Sequence, residues 1–196
     1  MSKSRLEAFT DAIIAIIMTI LVLEIAAPLT PSWDGLWALR HKILVYAISF
    51  FLLGIYWKNH HHLFQIVHKV NGRILWSNSV FLFVLSFFPL ATSWIGEFLN
   101  AAAPALFYGI IILVTNIAYY HLARQLERSD PENYELQCAL AGHIQSKITI
   151  GINCLALLLG LWLPVLIILF DALSFCLWLI PNRRIEQIFT APKEKD

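Results

Sequence analysis

Residues 148–180 read ITIGINCLALLLGLWLPVLIILFDALSFCLWLI, an apolar run of 33 residues whose only charged side chain is Asp171. A helix crosses the ~30 Å hydrocarbon core of a bilayer in about 20 residues, so a single helix of this length would overshoot it. Gly160 and Pro164 lie near the middle of the run and favour a turn there. The stretch therefore predicts two membrane-spanning helices, at 145–162 and 164–181, joined by a tight hairpin.

The composition of the whole chain agrees with a lipid environment. Of its 196 residues, 59% are hydrophobic and 14% are charged, whereas soluble domains carry about 25% charged residues. This excludes a soluble enzyme. Fourteen Lys and Arg residues against thirteen Asp and Glu leave a net charge of +1, so nucleic-acid binding has no electrostatic support.

Four further segments are long and apolar enough to cross, at 6–27, 36–57, 74–96 and 104–122. The sequence thus predicts an all-α integral membrane protein, 1–196, with a single domain of six transmembrane helices. With both termini cytoplasmic, twelve of the Lys and Arg residues face the cytosol and only Arg40 and Lys42 face outward. This positive-inside bias predicts that orientation. Between the fourth and fifth spans, 123–144 is expected to be a solvated linker with a helix start near Asp130 and Pro131.

The first segment carries an ionisable residue in an apolar setting. Ser4 and Glu7 have capping-box spacing, which places Asp11 about two turns inside the helix. A carboxylate at that depth requires donors from neighbouring helices. On a helical wheel, one stripe collects Phe9, Ile16, Thr19, Ile20, Leu23 and Ala27. By periodicity alone, such a stripe is ordinarily a helix contact or a lipid-facing surface.

The start of this segment also resembles a family signature. Arg5-Leu6-Glu7-Ala8-Phe9-Thr10-Asp11 is similar to the Arg-x-x-x-Phe-Ser-Asp signature of the transmembrane protein 175 family, with Thr10 in place of the usual Ser. Members of that family are endolysosomal potassium channels and shorter bacterial relatives. The resemblance extends to Tyr56-Trp57-Lys58-Asn59-His60-His61-His62-Leu63-Phe64, to Trp76-Ser77-Asn78 and to Phe87-Phe88-Pro89-Leu90.

The resemblance implies a homotetramer in which four copies of the first helix line a central pore, without a P-loop selectivity filter. The filter sequence Thr-Val-Gly-Tyr-Gly is indeed absent. Carried over by residue, the pore constriction falls on Ile16, Ile20 and Leu23, and a hydroxyl layer that aids selectivity falls on Thr19. The implied function is a potassium-selective channel for monovalent cations, with K⁺ as the permeant ion and no cofactor or metal.

The resemblance further implies a hydrogen-bonded network that holds the base of the first helix. Its expected members are Arg5, Phe9, Thr10, Asp11, Trp57, His60, His61, Trp76 and Asn78. Because three histidines are adjacent, the sequence leaves open which of His60, His61 and His62 takes part. The partner of Asp171 is also open, with Asn153 and Thr149 as candidates.

Two other functions compete with the channel. Six of the seven histidines lie on the predicted cytoplasmic side, which favours a membrane metalloenzyme, but no His-x-x-x-His or His-x-x-His-His box occurs. Asp11, Glu24 and Asp171 favour a proton-coupled transporter of small solutes, but no inverted repeat is evident. Neither alternative has the motif that its chemistry requires.

Overall fold

The structure is a computed structural model that describes residues 2–140 and 143–179, except for the side chains of 175–177 and 179. This part of the chain is all-helical. Its helices are α1 (Lys3–Leu23), α2 (Trp33–Ala38), α3 (Arg40–Ile66), α4 (Gly72–Leu85), α5 (Phe88–Glu97), α6 (Ala102–Ser129), α7 (Tyr134–Leu140), α8 (Ile144–Gly160) and α9 (Val165–Leu179). Residues 180–181 of the predicted sixth span, and the basic residues after them, lie outside the described residues.

Helix α6 lies at the centre of the bundle, where it packs against α4, α5, α8 and α9. Helix α1 packs on the other side, against α3, α4 and α5. Large side chains that are fully buried fill the space between these helices, among them Leu53, Phe64, Phe81, Phe88 and Tyr108. Helix α1 is therefore attached to the bundle along one side only.

A turn at 161–164 joins α8 to α9, at the place where the sequence predicts the hairpin. Close packing explains two glycines near this turn. A Cβ on Gly160 would collide with the Ile167 side chain, and a Cβ on Gly109 of α6 would lie 2.8 Å from Ile167 Cγ2. The Ile167 side chain thus inserts between α8 and α6. This packing requires glycine at 160 and 109, because any larger residue would place a Cβ in the space that Ile167 occupies.

The third apolar segment, 74–96, differs from the expected single helix because it is broken between α4 and α5. Pro89 lies in the first turn of α5. Proline has no N–H to donate, and its ring collides with the carbonyl four residues earlier, at Leu85, where α4 ends. The break follows directly from this one residue.

The ends of the other helices also differ from the predicted spans. Helix α1 begins after Ser2, so Ser4 lies within the helix and does not cap it; α1 ends at Leu23, four residues before the predicted end of the first span at 27. Helix α3 runs beyond 57 to Ile66, and α6 runs beyond 122 to Ser129. The helix expected near Asp130 and Pro131 begins at Tyr134, where Asn133 Oδ1 accepts from the Leu136 N–H.

Three stretches of the described chain are long and apolar enough to cross a membrane, namely Lys3–Leu23, Gly72–Glu97 and Ala102–Ser129. Helix α3 ends in a polar segment, while α8 and the described part of α9 are only 17 and 15 residues long. The chain is thus an all-helical membrane protein with several apolar helices, and the count of six crossings stays a prediction.

Candidate functional site

Helix α1 has two faces of similar composition and opposite burial. Ile14, Ile17 and Leu21 are buried against the rest of the chain. In contrast, Ile16, Ile20 and Leu23 have 57%, 37% and 78% of their surface exposed. The three side chains expected to form the constriction therefore point away from the interior of their own chain.

Thr19 lies on the exposed face, between Ile16 and Leu23. Its hydroxyl donates to the Ile16 carbonyl oxygen at 2.7 Å. Because the single hydroxyl proton is used within the helix, the lone pairs of Thr19 Oγ1 remain as acceptors on the exposed side. The exposed side of α1 thus carries one hydroxyl oxygen per chain at this level.

One buried amide, that of Asn78, joins the base of α1 to two other helices. Asn78 Nδ2 donates to Thr10 Oγ1 at 2.9 Å, and Asn78 Oδ1 lies 2.9 Å from His60 Nε2. With the amide in this orientation, His60 carries its proton on Nε2 and donates it. All three side chains are buried, so each hydrogen bond replaces contact with water. Among the three adjacent histidines, His60 is the one that reaches this network.

The Asp11 carboxylate is bound by Trp57, which lies three residues before His60 on α3. Trp57 Nε1 donates to Asp11 Oδ1 at 2.9 Å, a charge-assisted bond when the carboxylate is ionised. The His61 ring stacks on the Trp57 indole, with ring centroids 5.7 Å apart, and His61 Nε2 lies 2.9 Å from Gln65 Nε2. His61 therefore supports Trp57 and has no hydrogen bond to α1.

The structure does not bring every expected residue into this network. Arg5, Phe9 and Trp76 are exposed, and within the described chain the Arg5 and Trp76 side chains make no hydrogen bond to Thr10, Asp11 or Asn78. Helix geometry explains this: Trp76 is two residues before Asn78 and so lies on the opposite side of α4, while Arg5 lies on the same side of α1 as Ile16.

A second buried network lies deeper, and the sequence did not predict it as a unit. Tyr56 OH donates to Asn116 Oδ1 at 2.9 Å, Asn116 Nδ2 donates to Asn153 Oδ1 at 2.7 Å, and Asn153 Nδ2 donates to Asp171 Oδ1 at 2.7 Å. Of the two candidates, Asn153 is thus the partner of Asp171, and Thr149 instead accepts from Trp178 Nε1. Polar residues placed at corresponding depths of four helices were the signal for it.

The acids that favoured a transporter are therefore separate, because Asp11 is bound to Trp57 and Asp171 lies in the deeper network. For the metalloenzyme, the described residues contain no group of three or more His, Cys, Asp or Glu side chains that is arranged to hold a metal ion.

The fold is that of a multi-pass α-helical membrane protein, and the comparisons with known proteins give the channel class. The family model of the endosomal/lysosomal potassium channel TMEM175 matches residues 5–89. A potassium channel of a Chryseobacterium species is 44% identical over 95% of this chain and 97% of its own length. A potassium channel of Streptomyces collinus is 31% identical over 66% of this chain and 68% of its own length.

A solved structure agrees with the sequence comparisons. The lysosomal potassium-selective channel TMEM175 homolog from Chamaesiphon minutus matches with a TM-score of 0.79 and 26% identity, over 89% of this chain and 96% of that one. The chain belongs to the TMEM175 family of potassium channels, as the signature at 5–11 indicated. Its relatives are channels, which places it in a family of channel proteins and not of enzymes.

Proposed function

We propose that the chain is a subunit of a homotetrameric potassium channel in a bacterial inner membrane, in which four copies of α1 surround the pore. Ile16, Ile20 and Leu23 form the constriction, and Thr19 contributes to the selectivity for K⁺ over Na⁺. Support for the permeant ion comes from the relatives that are named potassium channels.

The observation that carries this proposal is the spacing of the exposed residues on α1. Arg5, Phe9, Ala12, Ile16, Thr19 and Leu23 are all exposed, and they follow one another at alternating intervals of four and three residues. A repeat of about 3.5 residues keeps one face of a helix directed at a partner helix or a shared axis over its whole length. Such a face suits four copies of α1 arranged around one axis.

The chemistry of this face suits a barrier to ions. Narrow rings of branched aliphatic side chains exclude water, and an ion that loses its hydration there gains no ligand in exchange. K⁺ holds its water less tightly than Na⁺, so partial dehydration costs K⁺ less free energy. Four Thr19 oxygens, one from each copy, would restore part of that cost.

The network at the base of α1 holds the helix in place. Asn78 connects α1 to α3 and α4, and Trp57 connects α3 to Asp11. These bonds at one end act together with the buried side chains of Ile14, Ile17 and Leu21 to set the tilt and rotation of α1 relative to the bundle. Their members are therefore structural, and the ion contacts only the opposite face.

The charge distribution supports an orientation with both termini in the cytoplasm. Lys3, Lys69 and Lys147 then share the cytoplasmic side with Arg73, Arg124 and Arg128, and Arg40 and Lys42 face outward. In this orientation Asp11 and Thr10 lie near the cytoplasmic entrance of the pore, and Glu24 lies near its outer entrance.

Liposomes with the purified protein test the proposal through potassium-driven flux. Ile16→Asn should wet the constriction and raise the flux, with larger single-channel currents. Val22→Asn is the matched control, because Val22 is also exposed on α1, at 48%, but lies outside the stripe, about a third of a turn around the helix from Ile16; its flux should stay near wild type.

Two results would overturn the proposed function. One is an Ile16→Asn variant that assembles normally and conducts as the wild type does. The other is flux that requires a proton gradient, which would favour the coupled transporter.

A further inference from the structure

A groove that the pore does not use lies between the start of α4 and the end of α6. It is open on one side, has a volume of about 700 Å³ and is lined by Arg73, Trp76, Ser77, His121, Gln125 and Arg128, among others. Two contacts align the helices there: Ser77 Oγ lies 3.2 Å from His121 Nδ1, and Asn71 Nδ2 donates to Ser129 Oγ at 2.8 Å.

The groove carries uncompensated positive charge. Arg73 and Arg128 are exposed, and neither guanidinium forms an ion pair or hydrogen bond within the described chain. The neighbouring acids have other partners: Glu127 Oε2 lies 2.9 Å from His143 Nε2, and Asp130 lies 3.3 Å from His68 and 3.8 Å from Lys69. Two free guanidinium groups beside one groove favour an anion with several oxygens, such as a phosphate.

The groove lies at the level where the apolar part of the bundle ends. On α6, the apolar residues that begin at Ala102 stop at Tyr120, and His121 is the first polar residue of the segment that follows. The contact of His121 with Ser77 places the first turn of α4 at the same level. Trp76 is 76% exposed there, which is typical of an indole at a membrane interface.

An exposed apolar surface continues from the groove along the same two helices. Val80 and Phe83 follow Trp76 on its side of α4, and Ile117 and Val114 precede His121 on its side of α6. Their spacings of three, four and seven residues keep them on one helical face. A basic groove at the membrane surface thus adjoins an apolar strip about two turns long.

We propose that this groove binds an anionic glycerophospholipid, with its phosphate on Arg73 and Arg128 and its acyl chains along Val80, Phe83, Val114 and Ile117. Basic pockets between transmembrane helices are sites for such headgroups. A zwitterionic lipid offers the same phosphate together with a cation that the two arginines repel, so the site distinguishes lipids by net charge.

Native mass spectrometry of the purified full chain in detergent tests this site with phosphatidylglycerol and phosphatidylcholine of identical acyl chains. The wild type should bind phosphatidylglycerol more tightly. Arg73→Gln combined with Arg128→Gln should weaken that binding by about tenfold or more, since each lost charged hydrogen bond is worth about a factor of ten. Binding of phosphatidylcholine should weaken less, because its choline cation already opposes the two arginines.

The control removes the same amount of charge outside the groove, by Arg124→Gln combined with Lys147→Gln, and should bind phosphatidylglycerol as the wild type does. If the double groove variant does not fold, Arg128→Gln alone, at an exposed position in the last turn of α6, gives the same test with a smaller loss.

Three results would overturn the site. The first is wild-type affinity in the groove variant, and the second is an equal loss of affinity in the control, which would indicate general attraction to positive charge. In the third, inorganic phosphate alone competes as well as the lipid, so that the acyl chains contribute nothing. A groove variant that dissociates into smaller oligomers with unchanged lipid binding would assign this surface to a second copy of the chain.

Discussion

The two faces of α1 are built from the same residue types and differ only in what surrounds them. Leu21 has none of its surface exposed, whereas Leu23, two residues later, has 78% exposed. Aliphatic composition therefore does not distinguish a face that holds the fold together from one that is free to line a pore. Substitutions on the buried face should affect stability, and those on the exposed face should affect conduction.

The largest effect is expected from truncation of the buried face. Leu21→Ala leaves a cavity in the contact between α1 and the bundle and should lower the free energy of unfolding by about 2–5 kcal/mol. Leu23→Ala, a chemically identical change on the exposed face, should cost less than about 0.5 kcal/mol while it raises potassium flux. Thermal unfolding in detergent and flux in liposomes measure both quantities. Equal destabilisation by the two variants would contradict the division into two faces.

The second-largest effect is expected at Asn78, whose side-chain amide binds Thr10 on the buried face of α1. Asn78→Leu removes both hydrogen bonds and leaves buried polar groups on Thr10 and His60 without partners, at a cost of about 2–4 kcal/mol. Ser79→Ala is the control, because Ser79 is exposed and its hydroxyl donates only to the Leu75 carbonyl in its own helix. If Asn78→Leu unfolds at the wild-type temperature, the network does not hold α1.

A smaller loss is expected at Asp11, whose side chain is only half-buried. Asp11→Ala removes the acceptor of the Trp57 indole N–H and should destabilise the protein by about 1.5–3 kcal/mol, the range for hydrogen bonds to charged groups. Asp11→Asn keeps an acceptor oxygen and should recover about half of the loss. The measurement is the yield and thermal stability of the assembled protein. Selectivity that changes in Asp11→Ala without any loss of stability would assign Asp11 to the ion pathway.

The smallest effect on stability is expected at Thr19, where the exposed face is tested most directly. Thr19→Val keeps the shape and removes the oxygen, and should lower the permeability ratio of K⁺ to Na⁺ a few-fold, roughly 1 kcal/mol or less. Thr19→Ser keeps the hydroxyl and should preserve the ratio. Reversal potentials under biionic conditions provide the measurement, and an unchanged ratio in Thr19→Val would remove Thr19 from the selectivity mechanism.

The sequence motifs pointed to most of the residues that lie around the base of α1, and helix geometry explains why the individual contacts could not be assigned from them. The signature and the Trp57 and Asn78 motifs led to the correct neighbourhood, but three adjacent histidines point in three directions about 100° apart. The pattern that selects His60 was present, since it lies four residues after Tyr56 and three before Leu63, both of which are buried. Arg5 and Trp76 belong to the same motifs, yet they lie on other faces of their helices.

Contacts that depend on how helices rotate against each other were not predictable. The choice of Asn153 over Thr149 as the partner of Asp171 depends on the rotation of α8 against α9, which hydropathy does not specify. The extension of α6 to Ser129 was not predicted for another reason. Apolar composition marks only the part of a helix that lies in the membrane, whereas the backbone hydrogen bonds of α6 continue past the end of its apolar part. Pro89, by contrast, was a visible signal for the break that separates α4 from α5.

The hydrogen bond between Asn78 and Thr10 also restricts the rotation of α1 about its own axis. A helix that slips by one residue turns by about 100°, which would carry the Thr10 hydroxyl away from the amide and leave both groups unpaired. Because α1 is one continuous helix from Lys3 to Leu23, its azimuth at Thr10 is transmitted rigidly to Thr19, about 14 Å along the axis. A single amide at one end thereby helps to set which side of α1 faces the bundle and which side stays exposed at the other end.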